Sequence, residues 1–129
     1  MINLKQIDDV IDKLESISKE KGNPFDRIGA TKALLSTVEN PSVYSSVIYE
    51  ANKLVGFLFA SATVNPFTGE LVAQEIISYI PDEFQDKELE FFHEWAKEKK
   101  AKKAIFLNEI DVKRPDGYKA VETVYVKEL

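Results

Sequence analysis

The chain of 129 residues contains no cysteine and a single histidine, His93. Without cysteine there are no disulfides, thiolate metal sites or Cys nucleophiles, and a reducing compartment fits. One histidine cannot make a His-x-x-x-His pair, so a dedicated metal site is not expected. No stretch approaches the roughly 20 apolar residues of a membrane span, and residues 1–6 lack the apolar core of a secretory leader. Basic residues are outnumbered, 17 Lys and Arg against 22 Asp and Glu, which gives a net charge of −5 and a pI near 5.0. That balance excludes a nucleic-acid footprint over the whole domain. Glycine is scarce too: there are five, and none lies between residues 71 and 116.

With 44% hydrophobic and 30% charged residues, the composition is that of one soluble globular domain, residues 1–129. Ile7, Val10, Ile11, Leu14 and Ile17 recur at helical spacing, and Gly22 is a good left-handed stop. Residues 1–4 are long enough for a short first strand. After the turn Asn23-Pro24-Phe25, residues 26–38 read as a second helix, with Ile28, Leu34, Leu35 and Val38 apolar. The middle is β: strands over 43–49, 54–64 and 70–80, the second apolar on both faces as a central strand should be. Residues 86–100 read as a helix with Leu89, Phe92, Trp95 and Ala96 inward and Glu88, Glu90, Glu94 and Lys97 outward. Residues 103–108 form a short buried strand, and 123–126 a terminal one. The fold class is therefore α/β, in the order (β)ααβββαββ, a mostly antiparallel sheet with flanking helices.

Several strings carry a family likeness. Asn52-Lys53-Leu54-Val55-Gly56-Phe57 opens a central strand. Ile80-Pro81-Asp82-Glu83-Phe84 closes a later one, and Phe91-Phe92-His93-Glu94-Trp95-Ala96 lies in the helix that follows. Gly117-Tyr118-Lys119 precedes the last strand. In this order they resemble the GNAT (N-acetyltransferase) superfamily over most of the chain. The size and ending also resemble short acetyltransferase-like proteins encoded by bacteriophages.

The resemblance implies a strand-to-helix turn that cradles the acetyl-CoA pyrophosphate, usually a basic residue followed by Gly-x-Gly or Gly-x-Ala. Such glycines let the backbone approach the phosphates at a helix N-terminus. The corresponding residues here, Gln85-Asp86-Lys87-Glu88, include no glycine and place two carboxylates where a phosphate would sit. The family's later helix, which often carries a tyrosine that protonates the leaving thiolate, would fall in residues 108–116. That segment is short and interrupted by Pro115. Tyr118 lies beyond it and is expected to pack on the sheet.

Candidate chemistry is sparse. Glu75 and Glu109 are the possible general bases for amine acetylation. Against that stand a solvent-facing strand carboxylate for Glu75 and a loop charge for Glu109. Cofactor contacts, under the acetyl-CoA alternative, fall to backbone groups near Ile80, to Gln85 and Lys87, and to Arg114. His93 reads as a partly exposed helix histidine, and Ser45 and Ser46 as strand residues without a nucleophile elbow. The run Lys97-Glu98-Lys99-Lys100-Ala101-Lys102-Lys103 complements a helix C-terminus, with a phosphate or RNA contact as the alternative. Phe57, Phe59, Phe91, Phe92 and Trp95 are core residues, or in part a partner surface at Phe91. The expectation is a GNAT-fold protein with a degenerate cofactor site and no bound cofactor. It would bind another protein within a homo- or hetero-oligomeric assembly, in the cytoplasm or in a phage virion. The alternative is an active N-acetyltransferase with an atypical cleft.

Overall fold

The computed structural model describes residues 2–107, 114–121 and 124–129. Helix α1 (Leu4–Glu20) starts directly from Asn3. The Asn3 carboxamide accepts from the Gln6 N–H at 2.8 Å, and the Gln6 side chain accepts from the Asn3 N–H at 2.9 Å. This reciprocal capping box consumes the residues expected to begin a first strand, so Ile2 and Asn3 are not part of the sheet. Ile2 and Ile7, at the two positions of a hydrophobic staple, share one buried cluster.

Helix α2 (Arg27–Leu35) is shorter than the pattern suggested. The Ser36 and Thr37 hydroxyls donate to the Ala33 and Leu34 carbonyls at 2.6 and 2.7 Å, which ends the helix before Val38. Ile28, expected inside, is 71% exposed. What seats α2 on α1 is partly ionic: Arg27 reaches Asp8 at 2.9 Å, Asp12 at 2.8 Å and Glu15 at 3.5 Å.

The sheet has the order β1 (Val43–Glu50), β2 (Lys53–Val64), β3 (Leu71–Tyr79), β4 (Lys103–Ile105). The first three strands are antiparallel. Helix α3 (Asp82–Glu98) then crosses over, so that β4 runs parallel to β3. Phe57 and Phe59 of β2 face α1 and α2 with Val10, Ile11 and Leu34. Leu58 and Ala60 face α3 with Leu89, Phe92 and Ala96. Alternation along one central strand therefore supplies both cores.

Helix α3 begins four residues before its expected start, immediately after Pro81, whose fixed φ suits the entry to a helix. Glu88, expected outward, is buried and accepts from the Tyr44 hydroxyl at 3.2 Å. Phe91 is half exposed, beside the Lys87 ammonium. Residues 124–126, expected to form a terminal strand, lie outside the sheet and are exposed. The described part of β4 is three residues long and offers little edge on which such a strand could form. Thr123 lies outside the described residues.

Helices α1 and α3 end in the same Schellman geometry. Asn23 N–H bonds Ser18 C=O at 2.9 Å behind Gly22, and Ala101 N–H bonds Ala96 C=O at 3.0 Å behind Lys100. Gly22 has φ 69° and Lys100 φ 66°, so a side-chain-bearing residue holds a glycine conformation at the second site. Lys100→Gly is expected to stabilise the fold by about 0.5–1 kcal/mol, read as a higher urea midpoint at unchanged slope. Gly22→Ala should shift the midpoint the other way.

Gly56 is a second constraint. A Cβ there would lie 2.8 Å from the Tyr79 carbonyl oxygen and 3.0 Å from the Pro81 ring. The close approach fixes where β3 ends and α3 begins. Gly56→Ala should cost about 1–3 kcal/mol, as overpacking against backbone does, measurable as a drop in thermal midpoint.

Candidate functional site

The β3–β4 ladder stops at Gln74 and Ile105, whereas β3 continues to Tyr79. Beyond that point, among the described residues, no strand pairs with β3 on the β4 side. Two side chains of β3, Glu75 and Ser78, meet there on the α3 face. In a straight strand, residues three apart point to opposite faces. The register explains the exception: Phe59 pairs with Ile77 and Ala60 with Glu75, so Ile76 is an extra residue in β3. This bulge leaves Ile77 in the α1 core and turns Glu75 to the other side.

Glu75 is only 6% exposed. The Ser78 hydroxyl donates to its carboxylate, and the Leu107 backbone contributes a second hydrogen bond. Burial raises the Glu75 pKa, and the two hydrogen bonds oppose that rise without cancelling it. The solvent-facing reading of Glu75 is therefore wrong, because the bulge that buries it cannot be counted from sequence parity.

Tyr118 closes the same region. Its hydroxyl lies 2.7 Å from His93 Nε2, and its ring packs 5.6 Å from His93 and 6.3 Å, edge-on, from Phe106. Burial first, and then the charge of Glu75, push its pKa up to about 12. His93 is held below its ordinary value by burial and then by the charge of Lys97, with Glu94 opposing. His93 is thus a half-buried partner of Tyr118, more than a bystander on the helix surface. Beside it is a pocket of about 210 Å³ lined by Asp86, Leu89, Glu90, His93 and Asp116. A larger one, about 530 Å³, sits away from these groups between Leu4, Leu35 and Asn40.

The expected cofactor contacts are placed differently. Only Ile80 and Pro81 separate β3 from α3. Gln85 and Lys87 lie inside the helix rather than in a loop. Lys87 projects 5.9 Å from the Phe91 ring, and Ile80 is packed into the α3-side core. The first turn of α3 carries Asp82 and Glu83, and no side chain caps it. Arg114 is exposed, and Glu109 lies outside the described residues. Glu75 and Tyr118 are thus brought together, while Ile80, Gln85 and Lys87 are spread along the junction and helix. Ser78 and the His93–Tyr118 pair were not legible, since each depends on contacts across the fold. Among the described residues no cluster of His, Asp and Glu could hold a metal ion. Among them, too, no helix is long and apolar enough to cross a membrane.

With a raised pKa, Glu75 favours the protonated form in the folded chain. Its contribution is therefore complete below the ordinary value of 4.5 and is lost as pH rises through the raised value. Glu75→Gln keeps an acceptor for Ser78 but cannot ionise. Its melting temperature relative to wild type should climb as pH rises from 4.5 through the raised value; a difference independent of pH would mean that Glu75 is not desolvated.

No protein-family model matches the chain, and no curated protein matches it in sequence. Solved structures do match in shape. A ribosomal-protein-alanine N-acetyltransferase from Brucella melitensis superposes with a TM-score of 0.71 at 16% identity, over 99% of this chain and 95% of that one. A GNAT family acetyltransferase from Staphylococcus aureus gives 0.65 at 15%, over 99% and 95%. A protein described as a transcriptional regulator from Bacillus halodurans gives 0.70 at 10%, over 96% of each chain. The chain has the GNAT acetyltransferase fold.

Proposed function

We propose that this GNAT-fold chain does not hold acetyl-CoA in the manner the fold implies and works by binding another protein. The reading rests on the junction between β3 and α3. A pyrophosphate needs several free backbone N–H groups and the positive end of a helix. Here the connection is two residues long, and one of them, Pro81, has no N–H. Asp82 and Glu83 put negative charge at the helix end, although neither caps it, and would repel phosphate. Gly56 lies against Tyr79 and Pro81, so the junction cannot easily be pulled open. The residues present do not fit the cofactor's phosphates. In this reading the chain is a component of a larger assembly, such as a phage particle, or an inhibitor that docks on a target protein. The shape shared with a described transcriptional regulator is consistent with a fold that serves more than one purpose.

A second reading, an acetyltransferase with an atypical cleft, draws on one observation. Glu75 and Tyr118 meet beyond the end of the β3–β4 ladder, and a buried carboxylate with a raised pKa is the kind of group a general base requires. Thermal melting with acetyl-CoA separates the two. A ligand at about 100 times its dissociation constant adds about 2.7 kcal/mol, a shift of several degrees in a chain of this size. No shift is expected at millimolar acetyl-CoA. A shift of several degrees that is lost in Lys87→Glu would sink the first reading and establish the second.

A further inference from the structure

We infer that the hairpin end of the sheet docks on an anionic membrane surface, with Phe67 entering the boundary between headgroups and acyl chains and the lysines of residues 97–103 set against the lipid charge. The β2–β3 loop, Asn65-Pro66-Phe67-Thr68-Gly69, leaves Phe67 96% exposed, with Val64 62% exposed beside it. The loop is nevertheless closely bonded. Asn65 Oδ1 accepts from the Phe67 N–H at 2.8 Å, the Asn65 C=O from the Gly69 N–H at 2.8 Å, and the Glu70 C=O from the Asn65 N–H at 2.8 Å. An apolar ring presented on a tip already ordered in this way loses little further freedom when it is buried elsewhere.

The topology brings the basic run to the same end. Val64 pairs with Leu71, the first residue of β3, and the Lys102 N–H bonds the Leu71 C=O at 2.8 Å. Lys103 pairs with Val72, so β4 starts where the hairpin loop departs. Lys97, Lys99, Lys100, Lys102 and Lys103 are all exposed there. Among the described residues, only Lys97 of these five has an ion pair, to Glu94 at 3.8 Å. Complementing a helix end accounts for lysines in the last turn of α3. It does not account for Lys102 and Lys103 beyond that end, nor for a lysine at position 100, whose φ of 66° suits glycine. The carboxylates within the two segments are Glu70 and Glu98. Charge is also segregated along α3, with Asp82, Glu83 and Asp86 at its start, where β3 ends. In a chain of net charge −5, that polarity turns the lysine end toward an anionic surface and the β3–α3 junction away from it.

Residue type selects the partner. Residues 64–70 and 97–103 contain no Arg, Tyr or Trp, the side chains that anchor most protein interfaces. One ring offers no series of platforms on which successive bases could stack. Lysine is a compact point charge without the planar fork that fits a particular carboxylate or phosphate, and it suits a diffuse negative field. An apolar insertion or a basic patch gives weak attachment alone, and the two together hold a chain at a lipid surface. Docking at this end leaves the β3–α3 junction free and does not depend on what binds there.

Co-sedimentation of the full chain with vesicles of phosphatidylcholine and phosphatidylserine, against vesicles of phosphatidylcholine alone, tests this. Binding is expected to the mixed vesicles only, and it should weaken as salt is raised. Phe67→Ser removes the ring from a residue that touches almost nothing in its own chain. It should weaken binding at least about tenfold and leave thermal melting unchanged. Lys99→Gln combined with Lys102→Gln should weaken it by a similar factor, at about fivefold for each charge. On mixed vesicles the emission of Phe67→Trp should shift to the blue. Wild type, whose one tryptophan, Trp95, packs against Tyr44 and Phe92, should not change. No binding to mixed vesicles would overturn the proposal, as would binding that Phe67→Ser leaves intact. So would tighter binding to a single-stranded oligonucleotide than to mixed vesicles, which would assign this end to nucleic acid.

Discussion

The register shift at Ile76 organises much of what is distinctive here. One extra residue opposite the Phe59–Ala60 step changes the parity of β3 partway along its length. On one side of the step Ile77 stays with the phenylalanines of β2 in the α1 core. On the other, Glu75 turns toward α3, where hydrogen bonds from Ser78 and the Leu107 backbone hold it. A carboxylate in that position is tolerated because Ser78 and the Leu107 backbone satisfy it. Tyr118 pairs with His93 on α3 and packs edge-on against Phe106, where burial and then the charge of Glu75 raise its pKa.

The junction at the end of β3 depends on a different constraint, the absence of a Cβ at Gly56. Because β2 can approach the Tyr79 carbonyl and the Pro81 ring, the chain turns from strand to helix in two residues. The helix that follows brings its own carboxylates to its positive end, a local arrangement that stabilises α3 and disfavours an external anion there. Electrostatics and backbone sterics thus act in the same direction at the place where the fold ordinarily meets a phosphate. At the other end of α3, Lys100 holds a left-handed conformation that glycine would adopt more readily, a strain the Schellman bonds and the packing of Ala101 sustain.

Fold does not by itself fix activity. The shape is shared with acetyltransferases and with a described transcriptional regulator at identities of 10–16%. Such a likeness is carried by the positions of helices and strands and by the burial of apolar faces, which many sequences satisfy. Chemistry is carried by a handful of side chains whose placement the same architecture leaves free.

The sequence by itself determined the elements with strong periodicity: α1, the three antiparallel strands, α3 and the crossover to β4. Each follows from local spacing of apolar residues and from turn residues such as Gly22, the Asn52 turn and Pro81. It also excluded disulfides and thiol chemistry outright, through the absence of cysteine, and showed that no glycine-rich turn follows β3. Other features were decided only by the tertiary structure. Glu88 turns inward because Tyr44, from a strand 44 residues away, reaches its carboxylate. Glu75 is buried because a bulge inverts its face, and His93 acquires a partner because Tyr118 folds back across α3. In every such case the deciding contact joins residues that are distant in sequence or shifts a register by one, and local patterns of hydrophobicity carry no record of either.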